Sequence, residues 1–85
     1  MTLPVIHQAI NMVIRGKNYL VTCLDVFDAG YGFYFDALFA DALRIKFAEG
    51  EACAIPGFGM KGSADFASHP KRDKRTVRFL ISKWG

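Results

Sequence analysis

The sequence predicts an α+β domain, in which an N-terminal helix packs on an antiparallel sheet of about four strands. Three observations predict this class. Apolar pairs recur every four residues near the N-terminus, β-branched and aromatic runs flank a glycine-rich turn in the middle, and apolar and polar residues alternate near the C-terminus. An all-β small barrel is the alternative architecture.

The length of the chain allows one domain. Its 85 residues have room for one core, so residues 1–85 are predicted to form a single small globular domain. An apolar content of 52% with 14% aromatic residues excludes a disordered chain and supplies more rings than one small core hides. We therefore expect a homodimer, because pairing gives a short chain additional core.

The N-terminal segment predicts an amphipathic helix over residues 3–15. Its apolar pairs are spaced as on one face of a helix, Pro4 lies in the first turn, and Gly16 is a suitable C-terminal stop. The alternative is a strand over residues 10–15 that turns into a hairpin at residues 16–18, because apolar residues also alternate there. We favour the helix, because it accounts for more residues.

The middle of the chain predicts a β-hairpin. Residues 19–27 are rich in β-branched and aromatic side chains, and residues 28–32 form a turn cluster before a second aromatic run. Residues 36–48 then fit two patterns, which are a helix capped by Asp36 and a half-buried strand over residues 43–48. We favour the strand.

The C-terminal part predicts a loop and a last strand. A short apolar piece at residues 52–55 is followed by a predicted loop over about residues 56–75, because Pro56 and the glycines after it disfavour regular structure. Apolar and polar side chains alternate over residues 76–84, which indicates a final strand.

Charge is segregated along the chain. Residues 71–85 carry six Lys or Arg and one Asp, whereas residues 1–70 carry five basic and seven acidic side chains. A basic segment of this kind attracts polyanions, so we expect a small non-enzymatic protein that binds nucleic acid or a nucleoprotein complex. The residues expected to contact phosphates are basic side chains in the predicted loop and the last strand: Lys61, Lys71, Arg72, Lys74, Arg75 and Arg78.

Two patterns match known sites only in part. Residues 57–62 fit G-x-G-x-x-G, whose backbone N–H groups can hold a phosphate, but the remaining chain is too short for a dinucleotide-binding fold. Ser63, Asp65 and His69 are the residue types of a catalytic triad, but their spacing in a loop fixes no distance between nucleophile and base. We expect no catalytic residue, no metal site and no cofactor, and two buried thiols rather than a disulfide.

The alternative function is protein interaction. An inhibitor or accessory subunit, for example one encoded by a mobile element, would bind a protein partner through exposed aromatic residues, a free strand edge or its acidic middle. Residues 18–60 carry six acidic and two basic side chains, which suits a basic partner. No apolar run approaches the roughly 20 residues that span a bilayer, and we expect a cytoplasmic protein that does not bind membranes.

Overall fold

A computed structural model describes residues 4–41, 47–66 and 75–82. These ranges contain six β-strands, one 3-10 turn at Pro56–Phe58 and no α-helix. The strands, in chain order, are β1 (Ala9–Ile14), β2 (Lys17–Asp28), β3 (Gly32–Phe39), β4 (Ala52–Ile55), β5 (Met60–Ala64) and β6 (Thr76–Ser82). The predicted α+β class is therefore wrong, and the alternative, an all-β small barrel, fits the structure.

The six strands form a closed antiparallel barrel. Their order around the barrel is β1-β2-β3-β6-β5-β4, so β3 pairs with β6 although two strands lie between them in the sequence. Because every neighbouring pair is antiparallel, the turns fall at two opposite ends. We call the end with residues 4–8, 28–32 and 55–60 the upper end. The end with residues 15–18, 39–41, 64–66 and 75 is the lower end.

The predicted N-terminal helix is replaced by a turn and β1. The same apolar residues that fit a helix alternate in β1, where Ile10, Met12 and Ile14 point into the barrel and are at most 3% exposed. β1 joins β2 through a two-residue turn, in which Arg15 and Gly16 both have positive φ angles of 54° and 75°. This backbone conformation matches the twist of a β-hairpin. Pairing with β2 therefore decides the local structure over the helical spacing.

The predicted central hairpin is confirmed, as β2 and β3 are antiparallel neighbours. Its turn is held by the Asp28 carboxylate, which accepts a 2.8 Å hydrogen bond from the Gly30 N–H. Asp36 lies within β3, so the alternative for residues 36–48, a helix capped by Asp36, is wrong. Of the predicted strand over residues 43–48, residues 43–46 lie outside the described residues, and Phe47 and Ala48 are in no strand.

The predicted long loop is wrong over residues 60–64, which form β5 between β4 and β6. Gly59 takes a left-handed conformation, with φ at 63°, that ends the 3-10 turn and starts β5. Gly62 is needed for another reason, since a side chain there would collide with the Leu80 carbonyl of β6. These two glycines allow a tight hairpin. The predicted last strand is confirmed over residues 76–82; residues 83 and 84 lie outside the described residues.

The core fills the barrel with side chains from alternate positions of all six strands. Its buried members are Ile10, Met12, Ile14, Val21, Cys23, Phe33, Phe35, Ala37, Phe39, Cys53, Ile55, Met60, Ala64, Val77, Phe79 and Ile81. The two cysteines are free and buried, as predicted, and burial raises the pKa of the Cys53 thiol to about 12.

Four aromatic rings pack around the lower part of the core. The rings of Tyr19, Phe39, Phe47 and Phe79 have centroid distances of 5.5 to 6.4 Å between contacting neighbours. Arg15 lies over the Phe47 ring and forms a 2.7 Å ion pair with Glu51. These contacts join the Arg15 turn to β2, β3 and β6 at the lower end.

The close approach of β5 and β6 gives a testable prediction. Gly62→Ala should lower the free energy of unfolding by about 1–3 kcal/mol, because the new methyl group overpacks against Leu80 and Ile81. Gly57→Ala is the matched control, since no atom lies within 4 Å of its added methyl group. Urea unfolding measures both variants, and equal unfolding midpoints would contradict the packing described for β5.

Candidate interaction surface

A buried ion pair lies on the outer face of the barrel between β3 and β6. Arg78 stands directly opposite Asp36, and its Nε and Nη2 donate hydrogen bonds of 2.7 and 2.9 Å to the two oxygens of the Asp36 carboxylate. The Asp36 side chain is fully buried and that of Arg78 is 10% exposed. This two-pronged geometry is the strong form of a charge pair and fixes both side chains.

Two aromatic rings cover the Arg78 guanidinium. Its central carbon lies 4.7 Å from the centroid of the Phe27 ring and 5.5 Å from that of Tyr34. Phe27 and Tyr34 are opposite each other on β2 and β3, with centroids 5.3 Å apart. Hydrogen bonding to Asp36 raises the pKa of Arg78, so the cation is permanent. The charge of Arg78 is thus used within the fold, and Arg78 is not an exposed phosphate contact.

The other predicted phosphate contacts fall into two groups. Lys71, Arg72 and Lys74 lie outside the described residues, whereas Lys61 and Arg75 are exposed. Arg75 is at the lower end, where its carbonyl accepts a 2.8 Å hydrogen bond from the Phe39 N–H. Lys61 is at the upper end, next to the residue that pairs with Ile81. The seven residues of β6 separate the two cations by about 20 Å, so the structure does not bring them together.

The described part of the barrel carries more acidic than basic side chains. It contains seven Asp or Glu and five Lys or Arg, although the whole chain has a net charge of +3. Two of those five cations, Arg15 and Arg78, are engaged in ion pairs. The surface that the structure describes is therefore not a basic one.

Large apolar side chains are exposed mainly at the upper end. Four of the five exposed ones in the described ranges lie there, and we call them the upper apolar residues: Val5 (65% exposed), Ile6 (50%), Phe27 (38%) and Tyr31 (68%). The fifth, Leu20, is 69% exposed on the outer face of β2, nearer the lower end. Two acidic residues of β2, Asp25 and Asp28, flank Phe27 on either side along the chain.

Hydrogen bonds hold the exposed N-terminal turn in place. The Gln8 side chain accepts a 2.9 Å hydrogen bond from the Val5 N–H, and the Gln8 N–H donates one of 2.9 Å to the Val5 carbonyl. The His7 N–H donates a 2.7 Å hydrogen bond to the Cys23 carbonyl of β2. Ile6 is therefore displayed by a turn that is fastened to the barrel.

The glycine-rich pattern does not form a phosphate loop. Its first residues make the 3-10 turn and its last residues belong to β5, so no helix N-terminus follows the glycines. Ser63 also lies in β5, Asp65 follows it, and His69 is outside the described residues. Among the residues that the structure describes, no group of three or more His, Cys, Asp or Glu side chains could hold a metal ion.

Comparisons with protein-family models, with curated proteins and with solved structures find no match to this chain. Within the described ranges, no helix is long and apolar enough to cross a membrane. The class of protein that the structure defines is a small closed antiparallel barrel with an apolar, partly acidic upper end.

Sequence reasoning missed the ion pair of Asp36 with Arg78 and the upper apolar residues. Arg78 occupies a polar position in the alternating pattern of the last strand. An exposed cation is expected at the same kind of position, so the sequence does not distinguish the two. The pairing of Arg78 with Asp36 can be inferred only when β3 is known to pair with β6. The run of apolar residues at 5 and 6 was a signal, but the helical interpretation assigned it to the core.

The buried pair predicts a large loss of stability when one partner is removed. Asp36→Ala should lower the free energy of unfolding by about 3–5 kcal/mol, because it leaves the Arg78 cation buried without its carboxylate. Asp36→Leu combined with Arg78→Met should recover most of that loss. Glu51→Ala, which breaks the exposed pair with Arg15, should leave the urea midpoint nearly unchanged. A small effect for Asp36→Ala would show that water reaches Arg78.

Proposed function

We propose that this protein is a non-enzymatic interaction module, which binds another protein through the upper apolar residues. The main evidence is that four of the five exposed large apolar side chains of the described ranges lie at the upper end. Exposed apolar groups that cluster on a small domain are typical of protein interfaces, and aromatic side chains contribute strongly to binding energy there. The alternative function predicted from the sequence is thus the one that the geometry supports better.

The charges near these residues favour a partner with basic side chains. Asp25 and Asp28 flank Phe27, while Arg78, the cation beneath its ring, is already paired with Asp36. Carboxylates at the edge of an apolar surface attract Lys and Arg of a partner and repel phosphates. A basic protein, including one that itself binds nucleic acid, suits this end better than nucleic acid does.

The buried ion pair holds Phe27, one of the upper apolar residues, in place in advance of binding. Arg78 holds the rings of Phe27 and Tyr34, and these rings belong to the two strands that lead into the turn with Tyr31. Side chains that are fixed before binding lose little conformational entropy when a partner arrives. This arrangement supports binding of a protein by a preformed surface.

The test compares two exposed residues of the upper end with an equally exposed residue elsewhere. Ile6→Ser and Tyr31→Ser should each weaken binding of the partner about tenfold or more, because they remove apolar contact area. Leu20→Ser is the control, since Leu20 and Tyr31 are 69% and 68% exposed. The partner is recovered with tagged protein after nuclease treatment, and its affinity for each variant is then measured.

Loss of binding in Leu20→Ser alone would move the interface away from the upper end and overturn the proposal. The predicted homodimer is measured with the same variants by light scattering at two concentrations. A dimer that only Ile6→Ser and Tyr31→Ser dissociate would identify the partner as a second copy of the chain.

Nucleic-acid binding is the second candidate function, and the charge distribution favours it. The described residues carry a net charge of −2, so the remaining segments carry +5, and three of their six cations are Lys71, Arg72 and Lys74. Arg75, which follows them, is exposed at the lower end. We propose these four side chains as the phosphate contacts; Lys61, about 20 Å from Arg75, is at best a separate contact.

Salt dependence tests this second function. Replacing Lys71, Arg72, Lys74 and Arg75 with Ala should flatten the dependence of nucleic-acid affinity on salt between about 50 and 200 mM, because fewer counterions are released on binding. Lys61→Ala is the single-charge control at the other end of the barrel and should change the slope little. An unchanged slope in the fourfold variant would remove nucleic-acid binding by this segment.

A further inference from the structure

The ladder that closes the barrel between β1 and β4 is short. In the part of the chain that the structure describes, Val13 and Ala54 are the one register pair between these strands. Continuing the register upward places Asn11 opposite Pro56, which has no N–H and begins the 3-10 turn. β4 therefore ends at Ile55, and the upper half of β1 extends beyond it.

The upper half of β1 directs backbone groups towards this gap. Residues of an antiparallel strand point their N–H and C=O groups to alternate sides. Ile14 and Lys17 close a two-residue turn and therefore form a hydrogen-bonded pair. Every second residue from Ile14 repeats this arrangement, so the N–H and C=O groups of Ile10 and Met12 point to β2. The groups of Ala9 and Asn11 therefore face away from β2, as those of Val13 do where it meets Ala54. The result is a strand edge that β4 does not reach.

The gap is an open groove of about 600 Å³, which is lined by residues 8–11, 55, 57 and 58. Ile10 and Ile55 form an apolar floor and are 3% and 0% exposed, and Phe58 of the 3-10 turn is half-buried beside them. No lining residue carries a charge. We call this the β1 groove.

We propose that the β1 groove receives an extended segment of the protein partner, which adds to β1 as a further strand. An unpaired strand edge specifies an extended backbone, because only such a backbone matches its alternating donors and acceptors. The apolar lining of the groove predicts apolar side chains in the bound segment. The absence of charged lining residues argues against a phosphate-bearing ligand. This inference rests on the proposed function and names the mode of binding.

The dimensions of the groove define the segment. The free edge runs from Ala9 to Asn11, about 7 Å at the usual rise of a strand, and accommodates about three residues of the partner. Alternate residues of that segment should be apolar, because the groove has no charged lining residue and the half-buried Phe58 ring lies beside them. The intervening residues lie beside Ala9 and Asn11, which are exposed, and can be polar.

The experiment selects ligands from a displayed library of linear 12-residue peptides and measures their affinities by fluorescence polarisation. Selected peptides should share apolar residues two positions apart. Gly57→Trp should weaken them about tenfold or more, because it places a large side chain at the rim of the groove, where the added carbon meets open space. Ala52→Trp is the matched control on β4, where Ala52 is exposed near the lower end.

Methylation of single peptide nitrogens distinguishes strand addition from apolar docking. Methylation should abolish binding at every second position and be tolerated at the positions between, because only alternate N–H groups face β1. Uniform tolerance of methylation would overturn the inference, as would peptides that Gly57→Trp binds normally. If those peptides are instead lost in Tyr31→Ser, the proposed function stands and only the strand-addition mode fails. If neither Gly57→Trp nor Tyr31→Ser weakens the binding of any selected peptide, both the strand-addition mode and the proposed function are contradicted.

Discussion

The hydrogen-bonded pair of Asp36 and Arg78 is the interaction on which the rest of the structure depends. It links β3 to β6, which are far apart in the sequence and whose pairing brings the last strand into the barrel. Its guanidinium also supports the rings of Phe27 and Tyr34 and so the hairpin that carries Tyr31. A buried charge pair is costly to break and geometrically specific, which makes it a strong constraint on strand register. The same pair removes one cation from the predicted nucleic-acid surface.

The two ends of the barrel differ for a physical reason. At the lower end four aromatic rings pack against one another, and Arg15 lies over the Phe47 ring. At the upper end Pro56 stops β4 early, so the ladder between β1 and β4 is short, and most of the exposed large apolar side chains of the described ranges lie at this end of the barrel. A barrel normally removes the free edges of a sheet, and a part that stays open is available for a partner strand. The protein binding that we propose at the upper end is based on this asymmetry.

The sequence predicted the elements whose signals are local. The hairpin of β2 and β3 and the alternation of β6 were found because turn residues and period-two patterns act within a few residues. The helix over residues 3–15 was wrong because its apolar spacing also fits β1, and pairing with β2 decides between the two. β5 was missed because Gly62 was taken as a breaker, whereas it permits close approach to Leu80. The ion pair of Arg78 was missed because its partner, Asp36, is 42 residues away.

Within the described ranges, the edge of β1 at Ala9 and Asn11 has no pairing strand. Residue-resolved hydrogen exchange of the free protein tests it most directly, because amide protection reports hydrogen bonding. The account predicts slow exchange at Ile10 and Met12, which pair with β2, and fast exchange at Ala9 and Asn11. Slow exchange at all four amides would show that the edge is already covered and would contradict the account.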